Sequence, residues 1–330
     1  MKRFLSIIWL LALAACSDLP PYGVLTSPET PPVAGRQISI TTWNLGYAAL
    51  GEGADFITDG GTHLRALSAG DIATATGHIA TTARSFGSDF LFFQEVARAG
   101  FLTRNVPLLA TLESALPDYT PLFWPGLHLS EPPDPLALAN GPALFARHMT
   151  PEIRALEIPQ EAGSYLLGIK RYMGVLVTEI PIRNSRHNWV LVNLHLSAFD
   201  PNANTRRAQA RTVLEFAQRE YDKGNYVVLG GDWNMRLRDT DFAHSTAQEY
   251  LEWLVDFPQN MLPDGWKIAI DPARPTVRTL QKPYVAGENY TAIIDGFITS
   301  PNVAVVRVST LDTGFRDTDH QPVTGVFRAR

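Results

Sequence analysis

Six short polar clusters along the sequence contain residue types that can act together on a phosphate ester. The clusters are Thr42-Trp43-Asn44, Phe93-Gln94-Glu95, Asn193-Leu194-His195, Gly230-Gly231-Asp232-Trp233-Asn234, Ile294-Asp295-Gly296 and Thr318-Asp319-His320. Each of them has an apolar run before it or around it. Because loops at the ends of buried strands are where α/β folds place their sites, we expect these clusters to carry function.

The residue types meet the needs of phosphate-ester hydrolysis. Hard divalent cations prefer oxygen ligands, which the carboxylates of Glu95 and Asp319 and the amide of Asn44 can supply. A histidine can take a proton from water near neutral pH, and a second carboxylate can orient it. His195 and Asn234 are candidate donors to the charge that develops on phosphorus. Spacing adds little, since only a fold can bring these distant clusters together.

Each of these residues also has an ordinary structural explanation. The chain contains eight histidines, and a lone histidine is more often a core or surface residue than a ligand. Asp232 and Asn234 are residue types that favour turns after strands, Asn44 could cap a turn, and Asp295 could form a structural salt bridge. Glu95 could be a solvated strand end. Their occurrence together, in one order, is what favours the functional interpretation.

The elements that must position these clusters follow from hydrophobic periodicity. Apolar, β-branched or aromatic runs predict nine strands, over residues 38–43, 90–93, 143–145, 175–180, 189–196, 226–229, 293–298, 303–308 and 323–327. Helical spacing predicts helices over 73–86, 105–116 and 204–221. The Pro-rich segments 124–140 and 258–287 are predicted to be irregular surface loops. We therefore predict one α/β domain over residues 37–330.

The N-terminus has the pattern of a secretory signal. Lys2 and Arg3 precede an apolar run that is too short to span a membrane and that ends in Leu13-Ala14-Ala15-Cys16, which resembles the bacterial lipobox. We predict a signal peptide over 1–15, a lipidated Cys16 and a tether over 16–36. The protein is then expected on the periplasmic or extracellular face of the cell envelope, and Ser17 favours the outer membrane because it differs from the aspartate retention signal.

Composition narrows the class of substrate. The chain is 45% hydrophobic and 18% charged, as globular domains are, and its net charge is −5. Proteins that bind duplex DNA usually carry a basic surplus or stripe, since phosphate neutralisation supplies most of their affinity. No such stripe is visible, so a phospholipid head group or a small phosphate ester is favoured over nucleic acid.

The order of the clusters resembles the endonuclease/exonuclease/phosphatase superfamily. The shared set is W-N, Q-E-V, N-x-H-L, G-D-x-N, I-D and D-H-x-P, and it extends from about residue 38 to residue 327. The resemblance implies a four-layer α/β sandwich, in which two mixed β-sheets pack face to face between helices. It also implies a Mg²⁺ ion, with Mn²⁺ as the alternative, near Asn44, Glu95 and Asp319.

The same resemblance implies a role for each remaining polar residue. His195 is expected to donate to the scissile phosphate, and Asp232 and Asn234 are expected to position the attacking water and the transition state. His320 is the expected general base, oriented by Asp295. We expect a lipid-anchored monomer that hydrolyses phosphate mono- or diesters. The alternatives are an extracellular nuclease and a non-catalytic surface protein that keeps the scaffold for binding a partner.

Overall fold

The computed structural model describes residues 23–26, 33–63, 68–129, 138–149, 151–161, 173–198 and 200–330. The predicted signal peptide over 1–15 and the predicted lipid-bearing Cys16 lie outside the described residues. Across the described ranges, no helix has both the length and the apolar character needed to cross a bilayer.

The described residues form sixteen strands and three α-helices. The strands are β1 Gly23–Thr26, β2 Gln37–Asn44, β3 Phe90–Ala97, β4 Tyr119–Phe123, β5 Leu127–Leu129, β6 Leu138–Arg147, β7 Ile153–Leu156, β8 Val175–Pro181, β9 Asn188–His195, β10 Tyr226–Asp232, β11 Lys267–Ala269, β12 Val277–Arg278, β13 Thr291–Ala292, β14 Asp295–Thr299, β15 Val303–Thr310 and β16 Val323–Ala329. The helices are α1 Ala69–Phe86, α2 Leu108–Ala115 and α3 Asn204–Asp222.

All nine predicted strands and all three predicted helices are present, with shifted ends. Helix α2 begins at Leu108, because Pro107 occupies its N-cap position and residues 101–105 form turns. The strand predicted over 293–298 begins only at Asp295. The carbonyls of Ile293 and Ile294 instead accept hydrogen bonds from the loop that follows β10.

Both segments predicted to be irregular loops contain strands, and residues 130–137 of the first segment lie outside the described residues. The segment 124–140 contains β5 and the start of β6, and the segment 258–287 contains β11 and β12. These predictions were wrong at those residues because each short strand forms its backbone hydrogen bonds with a neighbouring strand. Strand β5 pairs with β6, β11 pairs with β14, and β12 pairs with β13. Such strands are too short to show periodicity of their own.

The strands form two large mixed sheets. Sheet I has the order β1-β7-β8-β9-β10-β14-β11, and sheet II has the order β15-β16-β2-β3-β6-β4 with β5 also paired to β6. Each sheet has one parallel pair described, β9–β10 in sheet I and β2–β3 in sheet II. At the edge of sheet I, Gly23–Thr26 pair with β7, so four residues of the predicted 16–36 tether belong to the sheet.

The core is divided into three layers by the two sheets. Alternate residues of β3 show this division, because Phe90 and Phe92 pack between the sheets whereas Leu91 and Phe93 pack under α1 and α2. Helix α3 covers the outer face of sheet I. Each fully buried Phe contributes about 1.5–3 kcal/mol. This is the predicted four-layer α/β sandwich, which the structure confirms.

Candidate active site

Three of the predicted residues lie side by side at one end of sheet I. Asp232, the last residue of β10, is the register partner of His195 on parallel β9 and of Asp295 on antiparallel β14. Strand pairing alone therefore places an imidazole and two carboxylates in one row. The His195 Nε2 atom lies 3.6 Å from Asp232 Oδ2, and all three side chains are buried.

Gly231 allows this row to form. Its φ is +145°, and a Cβ atom at this position would lie 1.9 Å from the carbonyl oxygen of Leu194 on β9. The two parallel strands therefore approach each other too closely for any side chain just before Asp232. The sequence cluster contains two glycines for which no reason was visible, and the close approach explains the second of them.

Sheet II supplies Asn44 and Glu95 from the ends of its own parallel pair. Asn44 ends β2, and Glu95 lies at a bulge where the pairing of β3 with β6 shifts register between Phe93 and Val96. Glu95 has a φ of +51°, an unusual backbone for this residue type. Bulges re-aim side chains, and here the carboxylate of Glu95 is directed to His195, with Oε1 3.8 Å from Nε2.

His320 joins the two sheets. Its carbonyl accepts a hydrogen bond from Trp43 Nε1 at 3.1 Å, and its backbone forms a bridge to Val277. From this anchor on the sheet II side, Nδ1 lies 2.9 Å from Asp295 Oδ2 and Nε2 lies 3.7 Å from Asp232 Oδ2. The imidazole is thus held by one carboxylate of sheet I and faces another.

Two asparagines fix the Asp232 carboxylate. Asn44 Nδ2 donates to Asp232 Oδ2 at 3.0 Å, and the backbone N–H of Asn234 donates to Oδ1 at 2.9 Å. The Asn44 amide oxygen also accepts from the backbone N–H of Gly46. Asn234 Nδ2 donates to the Leu196 carbonyl at 2.8 Å, which leaves its second amide hydrogen for another acceptor.

Asp319 completes the group on the sheet II side. Its Oδ1 atom lies 3.2 Å from the hydroxyl of Thr318, and its Oδ2 atom lies 3.9 Å from Nε2 of His320. All eight residues predicted for catalysis and metal binding are therefore gathered at one place where the ends of the two sheets meet. Their individual roles stay predictions.

The acidic groups perturb one another strongly. Burial alone would lower the pKa of His320, but the carboxylates of Asp295, Asp319 and Asp232 raise it well above its usual value of 6.5. Burial, reinforced by Asp295 and opposed by His320, raises the pKa of Asp232 to about 7. Titratable groups perturbed in this way concentrate at functional sites.

The donor set fits a divalent cation. Four carboxylates, from Glu95, Asp232, Asp295 and Asp319, lie in or beside the cluster of imidazoles. Buried carboxylates are costly unless a cation or hydrogen bonds compensate them. Asp295 Oδ1 is buried and has no hydrogen-bond partner among the described residues. Within those residues, Asp232, Asp295 and His320 each also place one ligand atom within 4.8 Å of the others.

Two residues that sequence reasoning missed interact with Asp319. Burial, reinforced by Asp319 and Glu95 and opposed by Arg278, raises the pKa of Asp59 to about 7. Arg278 is fully buried, and its guanidinium donates to the carbonyls of Leu50, Gly51 and Ala54 while its backbone N–H donates to the Asp319 carbonyl. Asp59 resembled an ordinary turn residue and Arg278 lay in a predicted loop, so the sequence carried no signal for either.

Known proteins resemble this chain in structure. None of the sequence models of protein families matches it, and no curated protein is significantly similar in sequence. An endonuclease/exonuclease/phosphatase from Beutenbergia cavernae superposes with a TM-score of 0.57 at 19% identity, covering 89% of this chain and 72% of its own. Humanized D. rerio TDP2 superposes at 0.54 with 16% identity, over 89% of this chain and all of its own. An endonuclease/exonuclease/phosphatase from Bacteroides vulgatus gives 0.54 at 14% identity, over 89% and 99%.

Proposed function

We propose that this protein, which has the endonuclease/exonuclease/phosphatase fold, hydrolyses phosphate esters with a divalent metal ion and a histidine-activated water. The observation that carries the proposal is the pairing of His320 with a fully buried carboxylate, Asp295, at 2.9 Å. A buried aspartate that fixes an imidazole and stabilises its protonated form is the arrangement that a general base requires. The opposite ring nitrogen, Nε2, faces the acidic group where water and metal would lie.

We assign the metal to Glu95 and Asp319, with Asn44 beside them. The alternative cluster of Asp232, Asp295 and His320 would use His320 as a ligand, although Nδ1 and Asp295 already bind each other. Oxygen ligands from carboxylates and an amide suit Mg²⁺, and Mn²⁺ is the alternative. When bound, the metal would neutralise charge on the phosphoryl oxygens.

The protein's own residues supply the proton transfer and the orientation. His320 Nε2 takes a proton from water as the water oxygen bonds to phosphorus and the ester P–O bond breaks, and Asp295 stabilises the imidazolium that forms. The alcohol leaves with the electron pair of the broken bond and takes a proton from solvent. Asp232, held by its two asparagine contacts, orients the water. His195 and the free amide hydrogen of Asn234 donate to the phosphoryl oxygens, whose negative charge grows in the transition state.

The substrate class favoured by this proposal is a phospholipid head group or a small phosphate ester. The acidic surplus of the chain and the predicted lipid anchor support it. A nuclease activity is the second candidate, because D. rerio TDP2 has been solved with a single-strand DNA product and superposes on this chain with a TM-score of 0.52 at 16% identity.

A substrate panel tests both candidates. The full-length protein in detergent is assayed on sphingomyelin, inositol polyphosphates and plasmid DNA, with Mg²⁺, Mn²⁺ or EDTA. We expect metal-dependent hydrolysis of a lipid or small ester, and His320→Ala should lower kcat by about 10²–10⁴-fold. His187→Ala is the matched control, since His187 precedes the opposite end of β9. Full, EDTA-resistant activity in the His320 variant would remove the mechanism, and DNA nicking far above the other rates would reverse the order of substrates.

The predicted lipid anchor is a separate proposal. Lipidation of Cys16 would hold a monomeric enzyme at the cell envelope, with the outer membrane favoured, and a lipid substrate would then lie within reach. Radiolabelled palmitate should enter the wild-type protein, and Cys16→Ser should move the protein from the membrane fraction to the soluble fraction. An unlabelled wild-type protein would contradict the anchor without bearing on the chemistry.

A further inference from the structure

We propose that Arg206 is a positioning residue, which holds the segment after His195 and the turn at Asn234 in the geometry that the site needs. The inference deepens the proposed function and rests on it. Arg206 lies in the first turn of α3 and is 1% exposed. It contacts none of the reacting side chains named above, so its role would be exerted through the backbone carbonyls that it binds.

The guanidinium of Arg206 has a partner on each of its three nitrogens. Nε donates to Asp200 Oδ1 at 2.7 Å, Nη1 donates to the carbonyls of Asn234 at 2.7 Å and Trp253 at 2.9 Å, and Nη2 donates to the carbonyl of Ala198. Burying an arginine is costly unless its charge is paired and its N–H groups are satisfied. Here one carboxylate and three carbonyls meet this requirement.

The carbonyls that Arg206 binds belong to the two segments that carry catalytic candidates. Ala198 follows His195 by three residues, and Asn234 follows Asp232 by two. Asn234 has a φ of +49°, a left-handed backbone that surrounding contacts must maintain at a cost of about 1–3 kcal/mol. The carbonyl of Asn234 is the next backbone group after this torsion, so a hydrogen bond on it restrains the backbone of the same residue.

The helix that carries Arg206 is itself tied to these segments. Asp200 Oδ2 accepts the backbone N–H of Thr205 at 2.6 Å, so the carboxylate both pairs the guanidinium and caps the start of α3. One turn further, Gln209 accepts the N–H of Ser197 at 2.8 Å and donates to its hydroxyl at 2.9 Å. A polar face of α3 therefore binds Ser197, Ala198 and Asp200 together.

Lysine cannot reproduce this arrangement. An ammonium group has three donors on one atom, whereas the planar guanidinium reaches acceptors on separate segments in fixed directions. Arg206→Lys keeps the charge next to Asp200 but cannot hold Ala198 and Asn234 together. The substitution therefore separates positioning from charge.

Hydrogen exchange measures the positioning without any assumption about activity. Arg206→Lys should raise amide exchange at residues 196–198 and at Asn234 by at least about tenfold, since these amides would open locally. Glu220→Gln is the matched control, because Glu220 is a buried partner of Asn225 near the other end of α3. Equal protection of both segments in wild type and Arg206→Lys would overturn the proposal. Asp200→Asn gives the same comparison if the Lys variant is insoluble.

Kinetics then tests the functional consequence. Arg206→Lys should lower kcat by about 10–100-fold with KM changed by less than about threefold, whereas Glu220→Gln should match wild type. In an Asn234→Ala background, Arg206→Lys should add less than about threefold, because both changes act through one unit. Fully multiplicative effects would overturn the proposal. A wild-type protein inactive on every substrate would instead remove the proposed function, while the exchange result would still decide the role of Arg206.

Discussion

Replacing Asp295 by Asn tests the pairing with His320 most directly. Asp295 is fully buried, its Oδ2 lies 2.9 Å from His320 Nδ1, and its backbone N–H donates to the hydroxyl of Thr276. Asn occupies nearly the same volume, so packing and backbone contacts should persist. The change therefore removes a negative charge next to the imidazole with little other disturbance.

The magnitude follows from the separation of the charges. Two unit charges about 4 Å apart interact by about 4 kcal/mol at an effective dielectric constant of ~20, so removing one of them changes the protonation equilibrium of the other. A neighbouring opposite charge favours the charged form of the imidazole, so we expect Asp295→Asn to lower the pKa of His320. Loss of the orienting carboxylate in a comparable triad lowers kcat by about 10⁴-fold, and we expect about 10²–10⁴-fold here.

The assay is the pH dependence of kcat/KM at saturating metal. His320 must be neutral to accept a proton, so activity rises as pH increases through its pKa. Because the Asp295 carboxylate raises the pKa of His320, the acidic limb of the profile should move to lower pH in Asp295→Asn, with a lower plateau. Asp312→Asn is the control, because Asp312 is an exposed partner of Arg274. It should leave the acidic limb within about 0.2 pH units of its wild-type position. A limb that stays in place, or a plateau that falls by less than about threefold, would refute the reasoning.

Three further predictions follow from the same site. Burial raises the pKa of Asp232 from 3.8 to about 7, so the stability that its neutral form contributes is complete below pH ~4 and lost as pH rises through 7. Without metal, Asp232→Asn should therefore melt at a higher temperature than wild type at pH 8 but not near pH 4, and a lower melting temperature at pH 8 would contradict this. By calorimetry, Glu95→Gln should raise the Kd for Mg²⁺ by at least about tenfold, and it should raise this Kd more than Asp295→Asn does. The reverse order would place the metal on Asp232, Asp295 and His320 instead. In urea titrations, Gly231→Ala should lower the free energy of unfolding by about 2–4 kcal/mol, because its methyl group would meet β9. The control Gly77→Ala, on an open helix surface, should raise the free energy of unfolding by about 0.5–1 kcal/mol. Equal stability of Gly231→Ala and wild type would show that β9 and β10 can move apart without cost.

The long strands and helices were predictable because their own residues carry the pattern. In β3, Phe90 to Phe93 form an apolar run that must be buried in any fold, and helix α3 shows one apolar face. The bulge at Glu95 was not predictable, since it arises from the register of β3 against β6. The same holds for β11 and β12, whose residues become strands only through pairing with neighbours.

The candidate site was predictable as a set of residues and not as a geometry. The order of the polar clusters identified His195, Asp232, Asp295 and His320, but nothing in their spacing implies that Asp232 lies between two register partners. Arg206 was hidden for a different reason. On a helix with several arginines, burial and hydrogen-bond partners distinguish one from the others, and both depend on tertiary packing.

Because the site is divided between two sheets, the distance between the sheets determines how its two halves are placed relative to each other. Asn44 and Glu95 belong to sheet II, whereas Asp232 and its two register partners belong to sheet I. His320 lies between the sheets, hydrogen-bonded to Trp43 of sheet II and to Asp295 of sheet I. The rings of Phe297 and Phe327, 5.0 Å apart, lie in the layer that separates β14 from β16. A larger or smaller side chain at either position would change the distance between the two halves of the site. A displacement of about 3.3 Å, the rise of one strand residue, would break the hydrogen bonds that Asn44 and His320 form with Asp232 and Asp295. Core residues far from any substrate therefore set the distance between the two halves of the site as well as filling the interior.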